Sequence, residues 1–468
     1  MQDAPMKPRY FIQTYGCQMN VHDSERMAGM LDGLGYDPTD APEGADVILL
    51  NTCAVRERPE HKLYSELGQI RLLKAQNPNL ILGVAGCMAQ REAQTIRRRV
   101  PEVDILLGPR NLHHLSTLVR RAQNRVEGAP HADGLDLECD PTPATPVRRT
   151  SAISAYVDII FGCNFNCTYC AVPSARGPEI SRRPSEILDE IRQLDELGYR
   201  EITLLGQTVN AYGHDLGATE GQRIDFSWLL TRINEINPKL RIRFTSPHPM
   251  YFNSRLVETI AALPSVCEHL HLPVQSGDNE VLKRMKRTYS TEKYRRVIEE
   301  IRDKVPDVTV TTDTITGFCG ETDAEFENTM QLYREIEFDQ AYLFAYSPRH
   351  STQAFDWADD VPIAVKKERL ARLIDLQQII SRDKNRRQVG QSFDVLVEGV
   401  SHNDSAKLAG RTRGNKLVIF PGTPAQFPAG SLVEVRADEA FLWGFKGEVT
   451  RAFDTASAPR VLLELAMV

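Results

Sequence analysis

The chain has 468 residues, of which 41% are hydrophobic and 25% are charged, a composition typical of globular proteins and, at this length, of about three domains. It contains no run of 18 or more apolar residues and no apolar leader segment, so we expect no membrane association, a cytoplasmic location and cysteines that are ligands or buried thiols. The formal net charge of -7 argues against a protein that coats nucleic acid by overall attraction, although it does not exclude a local basic face.

The first 125 residues alternate between short apolar strands and amphipathic helices. Strands are predicted over residues 10–15, 47–50, 80–85 and 105–107, with helices over about 22–34, 59–75 and 112–122 and a further helix around Ile96. This alternation predicts an α/β domain with an open parallel sheet that is covered on both faces. Residues 126–150 are rich in glycine and proline and are predicted to form a linker.

A second β/α series occupies residues 151–385. Its predicted strands lie near 157–161, 202–205, 241–245, 269–274, 308–315 and 341–345. Six units without a clear seventh and eighth predict a partial (β/α) barrel rather than a complete one. Five short strands separated by turn signals over residues 386–453 predict a small antiparallel β-barrel, and residues 454–468 are predicted to be a C-terminal tail.

Three cysteines follow the first predicted strand of the central series. Cys163, Cys167 and Cys170 have the spacing C-x3-C-x2-C. Three thiolates in such a loop can bind three irons of a 4Fe-4S cluster and leave the fourth iron open for chemistry. A structural cluster or zinc site normally has four ligands, and because no fourth Cys or His lies close by in the sequence, we favour the reactive cluster over the structural one.

A second group of cysteines is recognised by topology rather than by spacing. Cys17, Cys53 and Cys87 each lie two or three residues beyond a predicted strand of the first domain. Because the carboxyl ends of parallel strands meet at one edge of a sheet, these thiols are predicted to form a second metal site. The alternative is that they are buried structural thiols. Cys139 and Cys267 have no comparable partners in the sequence and are not predicted to bind metal.

Polar residues also gather at the predicted carboxyl ends of the central strands, where β/α barrels build their active sites. They occupy residues 207–210, 246–248, 275–277, 313–317 and 347–349. Any one of these segments could be a turn or a helix cap, but together they indicate a site at this end of the barrel.

The motifs resemble those of the methylthiotransferases, a family of radical S-adenosylmethionine enzymes, along nearly the whole chain. The strings that carry the resemblance are TYGCQMN, NTCAVRE, GCMAQ, GCNFNCTYCAVPSARG, LLGQTVNAYG, HLPVQSG and TDTITGFCGET. LLGQTVNAYG and NTCAVRE are most similar to the bacterial members that act on N6-dimethylallyladenosine of tRNA, and the C-terminal barrel resembles the TRAM RNA-binding module. Cys319 stands where the family usually has proline, and we expect it to be a buried side chain.

The resemblance implies two 4Fe-4S clusters, one on Cys163, Cys167 and Cys170 and one on Cys17, Cys53 and Cys87. It also implies two molecules of S-adenosylmethionine per turnover. One methylates a sulfur held at the first-domain cluster, and the other yields a 5′-deoxyadenosyl radical that activates carbon 2 of the adenosine at position 37, next to the anticodon. The residues implied to bind S-adenosylmethionine are Tyr169, at the adenine-contact position, with Gln275, Ser276 and Asp313. The implied partners are tRNA, an electron donor such as a flavodoxin or ferredoxin, and a sulfur source.

Residues 386–453 contain nine basic and seven acidic side chains, or +2, in a chain of -7. Arg411, Arg413 and Lys416 flank a predicted hairpin of this region and are predicted to contact RNA phosphates. The basic run at 283–287 is interpreted as a solvated helix face. Two alternatives remain for the substrate, a ribosomal protein aspartate and a different tRNA adenosine. A third alternative is a non-catalytic RNA-binding protein whose clusters are structural.

Overall fold

The structure, a computed structural model, describes residues 7–53, 57–124, 131–141, 144–219 and 222–454. Parts of the predicted linker (126–130 and 142–143), residues 455–468 of the predicted tail and residues 54–56 of the NTCAVRE motif lie outside the described residues. Within the described part of the chain, no helix is both long and apolar enough to cross a membrane.

The first domain is an open parallel sheet with helices on both faces, as predicted. Its strands are β1 (Arg9–Tyr15), β2 (Asp37–Pro38), β3 (Val47–Thr52), β4 (Ile81–Gly86), β5 (Ile105–Leu107) and β6 (Ala132–Gly134), and its helices are α1 (Gln18–Gly33), α2 (Glu57–Gln76), α3 (Cys87–Arg99) and α4 (Leu115–Gln123). The sheet order is β2-β1-β3-β4-β5-β6. Helices α1 and α4 pack on one face through Leu31 and Leu118, and α2 and α3 pack on the other through Leu67 and Ile96.

Strand β6 lies inside the segment that the sequence predicts to be a linker. Ala132 and Gly134 pair in parallel with Ile105 and Leu107 of β5, so the sheet has two more strands than predicted, β2 at one edge and β6 at the other. Strand β6 was missed because its three residues include an aspartate and a glycine and carry no apolar pattern.

The central domain contains the six predicted parallel strands. Its strands are β7 (Ser154–Asp158), β8 (Ile160–Phe161), β9 (Ile180–Ser181), β10 (Glu201–Leu205), β11 (Ala218–Thr219), β12 (Gln222–Arg223), β13 (Arg241–Phe244), β14 (His269–His271), β15 (Thr309–Thr316) and β16 (Gln340–Ala345). Its helices are α5 (Val172–Arg176), α6 (Pro184–Glu196), α7 (Phe226–Ile236), α8 (Ser254–Ala262), α9 (Asn279–Arg284), α10 (Thr291–Lys304), α11 (Asp323–Ile336) and α12 (Ile363–Arg387). Two three-stranded parallel sheets, β7-β10-β13 and β14-β15-β16, are joined by a parallel bridge between Ile242 and Val266. The six strands thus form a partial barrel.

The C-terminal domain is a closed five-stranded barrel. Its strands are β17 (Ser392–Ser401), β18 (Asp404–Thr412), β19 (Leu417–Pro421), β20 (Leu432–Phe441) and β21 (Gly444–Asp454), in the closed order β17-β18-β19-β21-β20. Five strands cannot alternate in direction all the way around a ring, so at least one neighbouring pair must be parallel. That pair is β19 and β21, and the other four pairs are antiparallel, as predicted.

Buried charged groups join the three domains. Arg149 lies 3.7 Å from Glu25 of α1 and donates a hydrogen bond of 2.5 Å to Glu190 of α6. Arg243 of β13 donates to the backbone carbonyl oxygens of Thr412 and Arg413 in the C-terminal barrel, at 2.8 and 2.6 Å. Both arginine side chains are almost fully buried, so these contacts fix the domains relative to one another.

Candidate active site and its two cysteine trios

Three cysteines meet at the carboxyl edge of the first sheet because their strands are neighbours. We call them the N-terminal trio: Cys17, Cys53 and Cys87. Strands β1, β3 and β4 are adjacent, and their last residues, Tyr15, Thr52 and Gly86, are partners in register. Each cysteine follows one or two residues later, with the first at the N-cap of α1 and the last at the first residue of α3. The sheet register therefore brings together three thiols that are far apart in sequence.

A buried amide pair supports the N-terminal trio. Asn20 Nδ2 donates to Asn51 Oδ1 at 3.2 Å, and Asn51 Nδ2 donates to the backbone oxygen of Asn20 at 2.8 Å. Asn20 Oδ1 also accepts from the backbone nitrogen of Cys17 at 3.4 Å. Gly86 adopts φ +88°, and a Cβ at this position would lie 2.4 Å from Asn51 Oδ1. The turn before Cys87 consequently requires glycine, because another side chain would be strained at this positive φ and would clash with Asn51.

One arginine of the central domain reaches the N-terminal trio. Arg176, the last residue of α5, donates from Nη2 to Asp23 Oδ2 at 2.7 Å, and both side chains are buried. Its guanidinium also hydrogen-bonds the Cys87 thiol and attracts the charge of Cys17. A hydrogen bond with Cys53, together with the charge of Arg176, lowers the pKa of Cys17 to about 6, whereas burial raises the pKa of Cys87. The pocket thus favours the thiolate at Cys17, which is the form that binds metal.

The loop between β8 and α5 holds the other three cysteines, which we call the central trio: Cys163, Cys167 and Cys170. Thr168 anchors this loop, because its backbone nitrogen donates to the Met285 carbonyl at 3.1 Å and its hydroxyl donates to the Arg284 carbonyl at 2.9 Å. Its own carbonyl accepts from the backbone nitrogen of Ala354 at 2.8 Å. At the start of the loop Gly162 has φ +72°, a left-handed conformation that few other residues tolerate. These hydrogen bonds and the backbone of Gly162 therefore hold the cysteine loop in a defined conformation.

Each sulfur of the central trio has a polar neighbour. Cys163 Sγ lies 3.4 Å from the Thr208 hydroxyl oxygen. Arg287 Nη1 donates to Cys167 Sγ at 3.4 Å, and the backbone nitrogen of Val172 donates to Cys170 Sγ at 3.5 Å. Burial and the neighbouring Cys167 raise the pKa of Cys170 to about 12. Iron bound to the three sulfurs would replace the thiol protons and supply positive charge in this buried place.

Tyr169, predicted to contact adenine, lies half-buried beside the central trio. Its ring meets Phe318 edge-on at 6.3 Å between centroids and packs against an apolar cluster that also contains Cys319 and Tyr346. Cys319 is buried in this cluster, as expected for a small apolar side chain. Whether Tyr169 also contacts S-adenosylmethionine stays a prediction.

Gln275 and Asp313 are brought together by backbone hydrogen bonds. The Gln275 nitrogen donates to the Asp313 carbonyl at 2.9 Å, and the Ile315 nitrogen donates to the Gln275 carbonyl at 2.9 Å. Gln275 has φ +68°, a left-handed backbone conformation, and strand β14 ends at His271, three residues before the predicted end at 274. Ser276 is buried, with its hydroxyl 3.5 Å from that of Thr329.

Asp313 faces the interior of the partial barrel. The next residue, Thr314, hydrogen-bonds Tyr333 of the outer helix α11 at 2.7 Å, so the side chain of Asp313 points to the opposite side of β15. There its Oδ2 lies 3.4 Å from Nε2 of His271 on β14. Asp313 lies within its strand rather than at the strand end, and it stays half-exposed toward the interior.

Two of the three residues predicted to contact RNA are used for packing between domains. Arg413 donates to both carboxylate oxygens of Glu268, at 2.7 and 2.8 Å. Lys416 is buried and donates to Asn385 Oδ1 at 2.8 Å and to Gln388 Oε1 at 2.9 Å. The hairpin that these residues flank faces the central domain rather than solvent, so their placement does not support contact with RNA.

Arg411 is different. Its side chain remains 40% exposed, with hydrogen bonds from Nε to Glu398 at 3.1 Å and from Nη1 to the Asn415 carbonyl at 3.2 Å that leave part of the guanidinium accessible. RNA contact at this position stays a prediction.

Two arginines of the site were not recognised from the sequence. Arg287 belongs to the basic run that was interpreted as a solvated helix face, yet it contacts Cys167 and lies over the ring of Tyr289 at 5.1 Å. Arg176 lies within the GCNFNCTYCAVPSARG string, six residues after Cys170. Nothing in local periodicity distinguishes an arginine that turns toward a thiol from one that faces water. For Arg176 the available signal was its closeness in sequence to the cysteine loop, whereas Arg287 lies 117 residues after Cys170 and offered no such signal.

Comparisons with known proteins match all three domains. Residues 157–333 match the Radical SAM superfamily, residues 9–108 match an uncharacterized protein family, UPF0004, and residues 386–449 match the TRAM domain. Together with the cysteine geometry, these matches define the class: the protein is a radical S-adenosylmethionine enzyme that carries a TRAM domain. Membership of this superfamily implies a 4Fe-4S cluster and S-adenosylmethionine.

The chain is 48% identical over 443 residues to the tRNA-2-methylthio-N(6)-dimethylallyladenosine synthase of Geobacillus kaustophilus, covering 94% of this chain and 82% of that protein. It is 47% identical to the enzyme of the same name from Moorella thermoacetica, covering 94% and 97%. The chain belongs to the tRNA-2-methylthio-N(6)-dimethylallyladenosine synthase family, which confirms the predicted family.

Solved structures share the fold. The radical S-adenosylmethionine methyltransferase TsrM from Kitasatospora setae superposes with a TM-score of 0.53 at 13% identity, over 75% of this chain and 74% of that chain. The cobalamin-dependent S-adenosylmethionine radical enzyme OxsB gives a TM-score of 0.50 at 11% identity, over 80% and 56%. These likenesses concern the fold alone.

Proposed function

We propose that the protein transfers a methylthio group to carbon 2 of N6-dimethylallyladenosine at position 37 of tRNA, next to the anticodon. One observation carries the proposal: α5 begins two residues after Cys170 and ends at Arg176, which contacts the N-terminal trio. The hydrogen on carbon 2 of an adenine is neither acidic nor replaced by ordinary nucleophiles. Its replacement by sulfur therefore calls for a radical source and a sulfur carrier that face one substrate, and the two trios offer both.

The central trio would hold the cluster that binds S-adenosylmethionine, and the N-terminal trio would hold a second 4Fe-4S cluster. When bound, these groups supply the electron that cleaves one S-adenosylmethionine and the sulfur that a second one methylates. The chain's own residues keep the sulfurs in place: Thr208 and Arg287 contact the central trio, and Arg176 contacts the N-terminal trio. Hydrogen bonds to ligand sulfur stabilise its negative charge and so tune the potential of a bound cluster.

Residues that face the barrel interior would contact the small-molecule groups. The half-exposed Asp313 and the neighbouring His271 offer a carboxylate and an imidazole there. Tyr169, Gln275 and Ser276 complete the proposed S-adenosylmethionine site. The remaining partners belong to the same proposal: tRNA, a flavodoxin- or ferredoxin-type electron donor and a sulfur source, all in the cytoplasm.

The test is anaerobic reconstitution with reductant, S-adenosylmethionine and tRNA that carries N6-dimethylallyladenosine. We expect 5′-deoxyadenosine and 2-methylthio-N6-dimethylallyladenosine, measured by mass spectrometry of the digested tRNA. If no 5′-deoxyadenosine formed, the protein would be a non-catalytic RNA-binding protein instead. Deoxyadenosine without thiolation of this tRNA, but with modification of a ribosomal protein aspartate or another tRNA adenosine, would refute the substrate.

A variant separates the two trios. Cys53→Ala should abolish thiolation while leaving cleavage of S-adenosylmethionine largely intact, because it removes a ligand of the N-terminal trio alone. Cys267→Ser is the matched control, since Cys267 is equally buried but belongs to neither trio. Normal thiolation by Cys53→Ala would refute the sulfur-carrier role of the first domain.

A further inference from the structure

A cysteine and two histidines meet outside both trios. β5 leads into a short 3-10 helix, Pro109–His114, that ends with the pair His113 and His114. Cys139 follows β6 in the segment that crosses toward the central domain. Its Sγ lies 3.5 Å from Nε2 of His113 and 3.7 Å from Nε2 of His114, and all three atoms lie within 4.8 Å of one another.

These distances match a tetrahedral zinc site. Zinc binds thiolate sulfur at about 2.3 Å and imidazole nitrogen at about 2.0–2.1 Å, so a tetrahedral angle separates sulfur from nitrogen by about 3.6 Å. Both observed sulfur-to-nitrogen distances lie within 0.1 Å of that value. Sulfur with imidazole nitrogen is also the ligand combination that favours zinc over magnesium or calcium.

Both imidazoles direct the same ring atom at the sulfur. A thiol can donate to one nitrogen and accept from a second, so hydrogen bonding would require the Nε2 atoms of His113 and His114 to be in opposite protonation states, whereas a metal ion would bind both in the same state. Nδ1 of His113 is buried and has no hydrogen-bond partner among the described residues. This ring is therefore oriented toward Cys139 through Nε2, rather than by a bond on its other side.

The site is accessible from solvent. His114 is exposed and lines a surface cleft of about 480 Å³ together with Asp133 and Asp136. The cleft, which Arg121 also lines, gives an ion a path from solvent to His114. The three ligands leave the fourth position of the tetrahedron to a water molecule.

We propose that His113, His114 and Cys139 bind one zinc ion. Binding replaces the thiol proton of Cys139, which is released to solvent, and both imidazoles bind in their neutral form. The ion would link the segment after β6 to the end of β5, and its three protein ligands would leave one coordination position open. Arg110 connects this place to the catalytic region, since its side chain donates to the Cys139 carbonyl at 3.0 Å and to the Arg176 carbonyl at 3.1 Å.

The experiment uses the full chain with its iron–sulfur clusters already loaded, so that both trios are occupied. One equivalent of Zn²⁺ is added under nitrogen, free metal is removed, and zinc and iron are counted by mass spectrometry. We expect about one zinc per chain for the wild type and for Cys267→Ser, which removes a buried thiol elsewhere. Cys139→Ser and the double variant His113→Ala/His114→Ala should retain little zinc.

Iron content serves as the control for folding and for the trios. Equal iron in all variants, with zinc lost only in those that change His113, His114 or Cys139, supports the proposal. Zinc retained by the variants, or not retained by the wild type, would overturn it. Co²⁺ gives a second readout, which reports on the thiolate ligand directly. The wild-type site should show thiolate-to-cobalt charge-transfer absorption, and its absence in the wild type would likewise refute thiolate ligation.

Discussion

Arg176 places one buried positive charge between the sulfurs of the N-terminal trio and the carboxylate of Asp23. The second oxygen of that carboxylate, Oδ1, is buried and has no hydrogen-bond partner in the described part of the chain. Arg176, its hydrogen-bonding partner, compensates most of the charge of Asp23, and Arg26 contributes less. A buried ion pair of this kind contributes little net stability while intact but is costly to break, because the remaining charge stays buried.

At this residue we expect Arg176→Ala to lower the free energy of unfolding by about 3–5 kcal/mol, since it leaves Asp23 buried and unpaired. The measurement is urea unfolding of the metal-free chain. Arg192→Ala is the control, because Arg192 forms an exposed pair with Asp189 and surface changes of this kind stay within about 0.5 kcal/mol. Equal unfolding midpoints for the two variants would show that the Arg176–Asp23 pair is not needed for stability.

Among the elements, the turns that follow β1, β3 and β4 decide where the N-terminal trio lies. Three neighbouring strands end in register, and each continues directly into the segment that carries its cysteine. In the turn after β4, Gly86 has φ +88° and its backbone passes close to Asn51 and Thr52. The trio is thus positioned by backbone conformation as much as by side-chain packing.

We expect Gly86→Ala to destabilise the protein by about 1–3 kcal/mol, because alanine is strained at positive φ. The change should also displace Cys87 and lower the iron bound by the first domain. Gly33→Ala is the matched control, since nothing lies within 4 Å of a Cβ there and a helical alanine is neutral or stabilising by about 0.4–1 kcal/mol. Unfolding midpoints and iron content after reconstitution check both variants. Normal iron in Gly86→Ala would contradict the expectation.

The barrel hairpin gives a third prediction. Arg411→Ala should weaken tRNA binding and reduce the slope of log affinity against log salt by about 1, since its guanidinium is accessible. Lys416→Ala should leave that slope unchanged and instead lower stability by about 1–3 kcal/mol, because it leaves buried partners unpaired. Filter binding across a salt series and urea unfolding distinguish the two. If the slope of log affinity against log salt fell for Lys416→Ala but not for Arg411→Ala, Lys416 rather than Arg411 would be the residue that contacts tRNA.

Much of the arrangement could be predicted because it follows from strand order. Parallel strands carry Cys17, Cys53 and Cys87 to one edge, and the period of apolar residues reveals those strands. Contacts that depend on how domains dock could not be predicted. Lys416 was taken for a surface residue because a hairpin position does not reveal which side is covered. Cys139 was judged isolated because His113 and His114 precede it by about 25 residues, without a recognisable metal-binding spacing.

At the scale of the whole molecule, a series of ion pairs links the first domain to the central domain. Arg149 lies between Glu25 of the first domain and Glu190 of the central domain. Arg182 approaches the other oxygen of Glu190 at 2.8 Å. Burial alone would raise the pKa of Glu190, but the charges of Arg182 and Arg149 lower it to about 2. The ionised carboxylate is therefore part of the folded arrangement.

A depressed pKa of this kind stabilises the folded state above the unfolded pKa and loses its effect as pH falls through the folded pKa. For Glu190 these limits are the ordinary value of 4.5 and about 2. We expect Glu190→Gln to lower stability at pH 7 by on the order of 3 kcal/mol. The deficit relative to wild type should shrink as the pH is lowered from 4.5 toward 2, as measured by urea unfolding of the metal-free chain. A deficit that does not depend on pH would exclude the charge as its cause.

Because Arg176 of the central domain contacts the N-terminal trio of the first domain, it also affects the order in which the protein can mature. During translation Cys87 leaves the ribosome long before Arg176, and by then all three cysteines of the central trio have already emerged. The first domain can form its sheet early, but the arginine that neutralises its sulfur pocket arrives only with the start of the second domain. Loading of iron into the N-terminal trio should accordingly be a late event, which follows rather than precedes the docking of the two domains.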